Sequence, residues 1–317
     1  MFTKICVPVN DEPLSSQAAK AAIGFANKLS ASVLFISVYT MPNLHRDESE
    51  EAVRQNLEQT AQQLLESLIE MAEQHNILAR TLVIEAASHN IASTIAQIAQ
   101  IEHCDLIAMG THAREGIGRM LLGSVAEAVT RLSNLPVLLY RSGIVPSLKP
   151  FECSNILVAI DAHAASQAAL QVTRALARQL PASIEVLHVV PDVPYIYTEA
   201  ITPMIYDEHL AADFLNKGKH ILYNAESVLD DISAKQLVLE PAKNRRISDV
   251  ILQTADLHLA DLIVLGTHGH TGMERLLLGS VAQAVAHHAP VPVLLIRGVA
   301  LETTKQPVFK AITSASV

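Results

Sequence analysis

Short apolar runs alternate with longer amphipathic stretches along the whole chain. The run Leu262–Leu265, for example, is long enough for a buried strand and too short for a helix. By contrast, Asp47–Asn76 has apolar residues at helical spacing and a Glu- and Gln-rich opposite face that is typical of a solvated surface. Because strands and helices alternate, the pattern predicts right-handed crossovers and a parallel sheet covered by helices.

The predicted elements form two series in the same order, each with five strands. In the first half, strands are expected at 4–9, 32–38, 80–85, 105–109 and 136–140, and helices at 15–29, 47–76, 90–102 and 124–133. Ser15 or Ser16 is the expected cap of the first helix. In the second half, strands are expected at 155–160, 183–189, 235–240, 261–265 and 292–296, and helices at 164–179, 207–231, 246–259 and from 280. The fold class is therefore α/β, with two tandem doubly wound domains of the Rossmann-like or flavodoxin-like kind.

Domain boundaries follow from where this periodicity stops. The stretch 143–154 contains Gly143, Pro146 and Pro150 and has little periodicity, as expected of a linker. We therefore expect a first domain at 1–142, a second at 155–298, and a polar, weakly structured tail at 299–317.

In doubly wound parallel sheets, ligands bind beyond the carboxyl ends of the strands, where the strand order reverses between strands one and four.

An internal repeat covers the end of both halves. Residues 105–141 and 261–297 align without gaps and are identical at 21 of 37 positions. In both copies a strand leads into a glycine-containing turn and then into Gly-Ser at the start of a helical pattern, where Ser280 is the expected N-cap. Such a turn offers free amides and a positive dipole end to an anion. The alternative is that the glycines serve turn geometry alone.

The glycine spacing in the second half resembles a known signature. Gly266-x2-Gly269-x9-Gly279-Ser280 is similar to the ATP-binding signature of the universal stress proteins. Ile156–Asp161 resembles the first strand of that domain, and Val291–Ile296 resembles its last strand. Since the resemblance covers both halves, the chain looks like a tandem universal stress protein. This implies an ATP-binding stress-response protein whose shape or partner changes with bound nucleotide.

The resemblance also implies which residues of the second half meet the nucleotide. The backbone of Ala159 and Ile160 would lie against the adenine, with Val189 as an apolar wall. Asp161 would meet the ribose, the adenine edge or Mg²⁺ beside the phosphates, or it would cap the following helix or turn instead. The remaining nucleotide-binding residues implied are Gly266, His268, Gly269, His270, Arg275, Gly279, Ser280 and Val281. For His268 the alternative is a structural hydrogen bond, and for His270 and Arg275 it is a solvated surface.

The first half departs from this pattern at two positions. Asn10 stands where the second half has Asp161, and Ala113 stands where it has Gly269. If position 113 needs positive φ, an L-residue there costs roughly 1–2 kcal/mol. We therefore expect the second half to hold the competent site and the first half to be weaker or vacant. The residues expected at that weaker site are Pro8, Val9, Asn10, Val38, Gly110, Gly123, Ser124 and Val125.

Composition narrows the classes of partner. Half of the 317 residues are hydrophobic and the mean hydropathy is +0.28, which suits sheets covered on both faces. Tryptophan is absent and the net charge is −9, so nucleic acids and anionic membranes are not expected as partners. The cysteines, Cys6, Cys104 and Cys153, fit no metal or redox spacing and are expected to be small buried residues in a reducing compartment. Without a signal peptide or a spanning run, we expect a cytoplasmic protein.

Other functions stay open at this point. The chain has no G-x-x-x-x-G-K-[ST] loop and no evident general base, so no catalytic residue is predicted, although slow hydrolysis of bound ATP stays open. A scaffold for a different ligand is a further alternative. The apolar segment Pro191–Tyr206 would then cover a pocket or contact a partner, unless it belongs to the domain's own core.

The last strand of each half is apolar and follows a proline. An exposed edge of this kind invites pairing with another strand. Members of the resembling family commonly dimerise through this strand. We therefore expect the two halves to pair within the chain around a pseudo-two-fold axis, or the chain to form a homodimer.

Overall fold

The computed structural model describes residues 2–44, 49–87, 90–111, 123–141, 153–191, 208–232, 234–239, 245–267 and 278–298. The chain divides into two compact units, residues 1–151 and 152–299. Most of the predicted linker and all of the predicted tail lie outside the described residues, as does most of the segment Pro191–Tyr206.

The first half is a five-stranded parallel sheet with helices between the strands. Its strands are β1 Lys4–Val9, β2 Ser32–Tyr39, β3 Ala79–Glu85, β4 Leu106–Thr111 and β5 Val137–Arg141. Its helices are α1 Pro13–Leu29, α2 Glu50–Gln74, α3 Ile91–Ile101 and α4 Ser124–Leu132. The strand order is β3-β2-β1-β4-β5, with all the pairings parallel.

The second half repeats this arrangement. Its strands are β6 Asn155–Ala159, β7 Ser183–Val189, β8 Ala234–Leu239, β9 Leu262–Gly266 and β10 Val293–Ile296. Its described helices are α5 Ala164–Gln179, α6 Glu208–Val228, α7 Ile247–Leu257 and α8 Ser280–His288. The strand order is β8-β7-β6-β9-β10, again parallel. The prediction of two doubly wound α/β domains with five parallel strands each is confirmed.

The central strands form the core of each half because they are apolar on both faces. Ile5, Cys6 and Val7 of β1 are fully buried, as are Leu262, Ile263 and Val264 of β9. Helices cover both sides of such strands, so a continuous apolar run is what this position requires.

An aspartate fixes the amino end of the central strand pair in each half. Asp105, just before β4, accepts hydrogen bonds from the backbone amides of Thr3 (2.7 Å) and Lys4 (3.2 Å) at the start of β1. Asp261, just before β9, accepts from the amides of Ser154 (2.7 Å) and Asn155 (2.9 Å) at the start of β6. The same device therefore sets the position of the first strand against the fourth in both halves.

One predicted helix start and two predicted N-caps are wrong. Helix α1 begins at Pro13, with Glu12 at the N-cap, so Ser15 and Ser16 lie inside the helix and do not cap it. Proline is favoured at the first helical position because its φ is already helical and its missing N–H would be unpaired there. Helix α8 begins at Ser280, which makes Gly279 the N-cap and leaves no side chain to cap the first turn.

The three cysteines are buried, as the sequence predicts for small apolar residues. Burial is the main cause that raises the pKa of Cys153 to about 12. A hydrogen bond with Cys104 is the main cause that raises the pKa of Cys6 well above its usual value. Both thiols are therefore protonated at neutral pH.

In the part of the chain that the structure describes, no helix is both long and apolar enough to cross a membrane.

Helix α7 ends earlier than predicted, at Leu257, and Leu259 takes a left-handed conformation with φ of 52°. The amide of Ala260 then donates to the carbonyl of Ala255 (2.9 Å), which closes the helix end. Leu259 is 76% exposed, so little packing compensates for its backbone strain.

Replacing this leucine by glycine should stabilise the second half. Leu259→Gly relieves a strain of about 1–2 kcal/mol and adds about 0.5–1 kcal/mol of unfolded-state entropy. We therefore expect a net gain of about 0.5–1 kcal/mol in the free energy of unfolding, measured by urea denaturation. His103 has the corresponding role after α3, with φ of 53°. Since histidine tolerates this conformation better than leucine, His103→Gly is the matched control with the smaller gain. Equal or lower stability of Leu259→Gly would contradict the assignment of strain.

Candidate functional site

A cleft of about 110 Å³ opens at the switch point of the first half, where β1 and β4 end. Six of the residues predicted for the weaker site line it. These are Pro8, Val9, Asn10, Val38, Gly110 and Val125. The other two predicted residues directly precede Val125: Gly123 is the N-cap of α4 and Ser124 is its first residue.

The ends of the strands alone do not predict the whole wall of the cleft. The additional lining residues are Leu14, Ser15, Ile91, Ile95, Met109 and Ala126. Ile91 and Ile95 come from the first turns of α3 and lie four residues apart, so they share one helix face. That spacing was visible in the sequence, but only the folded sheet brings this face to the switch point.

The lining is mainly apolar, with polar groups at one end. There the backbone amide of Asn10 donates to Oγ of Ser15 (2.9 Å), which ties the end of β1 to the first turn of α1. The Asn10 side chain is exposed. A cleft with apolar walls and few polar groups suits a flat, mainly apolar ligand part such as a heterocyclic ring.

In the second half, Asp161 is held by the residues that follow it. Its Oδ1 accepts from the amide of His163 (2.9 Å) and from Oγ of Ser166 (2.6 Å). Its Oδ2 lies 3.0 Å from Nδ1 of His163. These bonds support the capping alternative for this aspartate, which closes the turn just before α5, whereas the N-cap of the helix is His163. The side chain is still 31% exposed, and a role toward nucleotide or Mg²⁺ stays a prediction.

The predicted base-binding residues of the second half lie at neighbouring strand ends. Ala159 is the last residue of β6, Ile160 follows it, and Val189 is the last residue of β7. Ile160 and Val189 are both buried. The carbonyl of Ile160 lies 2.9 Å from Nδ1 of His188, a buried histidine that sequence reasoning did not single out.

The predicted phosphate-binding residues lie partly within the described chain. Gly279 donates its amide to the carbonyl of Thr267 (2.8 Å), which joins the start of α8 to the end of β9. Ser280 is exposed at the first position of α8, and Val281 follows it. The remaining predicted residues, together with Ala113 of the first half, lie outside the described residues. These are His268, Gly269, His270 and Arg275.

Gly266 has a clear packing role in addition to its predicted place in the nucleotide site. A Cβ at this position would lie 2.7 Å from the carbonyl carbon of Ala165 and 2.9 Å from the amide nitrogen of Ser166. The end of β9 therefore approaches the backbone of α5 more closely than any side chain would permit. The corresponding glycine of the first half, Gly110, has its nearest neighbour at 3.2 Å, the Cβ of Ala18.

Among the described residues, no group of three or more histidine, cysteine, aspartate or glutamate side chains could hold a metal ion.

Comparison with known proteins agrees with this architecture. The model of the universal stress protein family matches residues 1–141 and 153–297, which together make up most of the chain. The chain belongs to the universal stress protein family.

Two relatives show how far sequence similarity within the family extends. A universal stress protein of Methanocaldococcus jannaschii is 33% identical over 144 residues, which is 44% of this chain and 83% of the relative. A universal stress protein of Mycobacterium tuberculosis is 25% identical over 195 residues, which is 61% of this chain and 62% of that protein's length.

A solved structure supports the fold over nearly the full length. The crystal structure of a universal stress protein from Archaeoglobus fulgidus superposes with a TM-score of 0.67 and covers 93% of this chain and 96% of its own. Its sequence identity is 20%, so the likeness concerns the fold alone.

The two corresponding glycines of this universal stress protein should respond differently to alanine. Gly266→Ala forces β9 away from the backbone of α5 and should lower the free energy of unfolding by about 1–3 kcal/mol. Gly110→Ala, the matched control, meets only side-chain atoms and a more distant carbonyl, so its cost should be smaller. Urea denaturation of both variants measures the difference, and equal effects would contradict a packing role specific to Gly266.

Removing the side chain of Asp161 should weaken the start of α5. Asp161→Ala loses the acceptor for the His163 amide and for Ser166 Oγ, and should lower the free energy of unfolding by about 1 kcal/mol. In the first half the corresponding bond comes from the backbone amide of Asn10, so Asn10→Ala should leave stability unchanged. Thermal unfolding of the two variants makes the comparison. A stable Asp161→Ala protein would mean that the cap contributes little.

Proposed function

We propose that this universal stress protein binds ATP at the switch point of its second half and acts as a nucleotide-dependent regulatory or interaction module. The observation that carries the proposal is the complete signature Gly266-x2-Gly269-x9-Gly279-Ser280, which runs from the end of β9 to the start of α8. The first half has this signature with Ala113 in place of the second glycine.

The start of α8 supports a phosphate-binding role. Its N-cap is a glycine, so no side chain satisfies the amides of its first turn. Those amides and the helix dipole together favour a negatively charged group at this position. The Gly279 amide already donates to the carbonyl of Thr267, so the backbone donors for a phosphate would be the first-turn amides of Ser280 and Val281, beside the end of β9.

The strand ends support a base-binding role. Ile160 directly follows β6, Val189 is the last residue of the neighbouring parallel strand β7, and both are apolar and buried. The corresponding positions of the first half, Val9 and Val38, line the cleft described above. By that correspondence, the adenine ring would lie against Ile160 and Val189, with the phosphates toward α8.

Mg²⁺ would accompany ATP through the phosphate oxygens, and Asp161 is the carboxylate that the second half offers at the end of β6. Because its oxygens already accept hydrogen bonds at the start of α5, direct coordination of Mg²⁺ would compete with that cap. We therefore propose that Asp161 contributes charge and position more than a direct metal bond.

The first half would bind nucleotide more weakly. Its cleft has apolar walls for a ring, whereas Asn10 supplies no charge and Ala113 replaces a glycine of the phosphate-binding turn. One strong site per chain is the expected result. The output of binding would be a change in shape or in the choice of partner.

A calorimetric titration of the protein with ATP tests this proposal. Wild type should bind about one ATP per chain, and Gly279→Val should lose that binding because its side chain blocks the approach of phosphate to the start of α8. The matched variant Gly123→Val, at the start of α4, should keep the wild-type stoichiometry.

Other outcomes point to other functions. Two ATP per chain would contradict the inequality of the halves and leave nucleotide binding intact. No binding at millimolar ATP would contradict the proposal and favour a scaffold for another ligand. Release of phosphate from bound ATP would add hydrolysis to the function.

A further inference from the structure

We propose that His188 is a positioning residue of the second half's nucleotide site, where its imidazole replaces a main-chain hydrogen bond at the end of β6 and fixes the turn that follows. The name of the ligand rests on the proposed function, but the effect on the turn does not. The inference comes from a difference between the halves at equivalent strand ends.

The first strand is paired for one residue fewer in the second half. In the first half, the pairing of β1 with β2 continues to Val9 opposite Ser37. In the second half, the pairing of β6 with β7 ends at Ala159 opposite Leu187, one position earlier. The residues that would form the next pair are Ile160 and His188.

The histidine ring takes the place of that pair. The Ile160 amide still donates to the carbonyl of Leu187 (2.9 Å), as in the regular ladder. The Ile160 carbonyl instead meets Nδ1 of His188 at 2.9 Å. A carbonyl only accepts, so Nδ1 must carry the proton in this contact. The ring is 8% exposed, so this bond forms where water competes little.

Helix α6 is shaped around the ring. A Cβ on Gly218 would lie 2.7 Å from Cδ2 of His188 and 3.2 Å from its Nε2. Glycine inside a helix is unfavourable compared with alanine, and Gly218 lies in the middle of a 21-residue helix. Gly218 therefore leaves space for the ring in α6, and we call this space the seat of the ring. The contact explains a glycine that helix propensity alone would not favour.

Both ends of the turn after β6 are thus fixed by side chains. His188 holds the carbonyl of Ile160, and Asp161 holds the amide of His163. In the first half, Ser37 and Asn10 stand at the positions of His188 and Asp161. The serine side chain is too short to reach the carbonyl of the neighbouring strand as an imidazole does. In the first half, the backbone pairing of β1 with β2 continues through this position instead. The turn that would face the adenine therefore has a different form in each half.

The first test compares two replacements of the ring without nucleotide. His188→Asn keeps an N–H donor close to the place of Nδ1, whereas His188→Leu has none. Amide hydrogen exchange of residues 160–163 should be at least about tenfold faster in His188→Leu and close to wild type in His188→Asn, since a tenfold change corresponds to about the worth of one hydrogen bond. Ser37→Ala in the first half is the matched control and should leave exchange at 160–163 unchanged.

The second test uses the seat of the ring. Gly218→Ala should lower Tm in the wild-type background, because the added methyl group collides with His188. In a His188→Ser background, the same change should raise Tm, because alanine favours the helix and the collision is gone. A purely local effect of Gly218 would give the same sign in both backgrounds and would overturn the assigned seat.

Nucleotide affinity then connects the turn to the site. ATP should bind about tenfold more weakly to His188→Leu than to His188→Asn. Equal exchange and equal affinity in the two variants would overturn the inference. If wild type binds no ATP but exchange still differs between the variants, the proposed function fails and the role of His188 in fixing the turn stands.

Discussion

Each half of this protein depends on the parallel pairing of its first strand with its fourth. An aspartate just before the fourth strand, Asp105 or Asp261, accepts hydrogen bonds from the backbone amides at the start of the first strand. These bonds fix the amino end of the pair. Strand order reverses between these two strands, so the helices that follow them leave toward opposite faces of the sheet. The carboxyl end of the same pair is consequently left open. In the first half, the cleft lies at this open end, opposite the end that the aspartate fixes.

Duplication has kept the scaffold and changed the strand ends. The central strands are buried apolar runs in both halves, and a change there would disturb packing on two faces at once. At the open end, single substitutions alter polar groups without such a cost. Asn10 corresponds to Asp161, and Ser37 to His188. The halves can thus share one fold while they differ in charge and in the hydrogen bonds at the turn after the first strand.

The sequence is sufficient for most of the fold and for the place of the cleft in the first half. The bounds of β1, α5 and β7 agree with their predictions, and Pro181 and Pro191 closely follow the ends of α5 and β7. The switch point also follows from strand order. The cap of α1 was placed wrongly because serine is a good N-cap in general, whereas Pro13 makes an earlier start favourable. The positive φ of Leu259 could not be predicted from the sequence, because leucine disfavours this conformation and adopts it here only to close the end of a helix.

The side-chain contacts of the site needed the structure. Ile91 and Ile95 line the cleft only because α3 packs beside the ends of β1 and β4. His188 lies in a run of apolar strand residues, where its hydrogen bond to Ile160 depends on where the neighbouring strand ends. Gly218 looks like a helix defect until the ring that it accommodates is known. These features arise between elements, and local periodicity carries no information about them.

The difference between the halves has a consequence for how binding could produce a signal. A ligand shifts a conformational equilibrium only by the difference between its affinities for the two states. Both halves offer apolar strand ends of similar kind, so the base alone would discriminate little between them. Discrimination must come from the polar part, which in the second half includes a charged side chain at 161 and a turn held at both ends. A turn that is already fixed loses little entropy when a ligand binds, which favours affinity. In the first half the end of β1 is tied as well, by the bond from the Asn10 amide to Oγ of Ser15 (2.9 Å), but Asn10 brings no carboxylate to that position. The carboxylate at 161 is therefore the polar difference through which a ribose hydroxyl or Mg²⁺ would favour the proposed site of the second half.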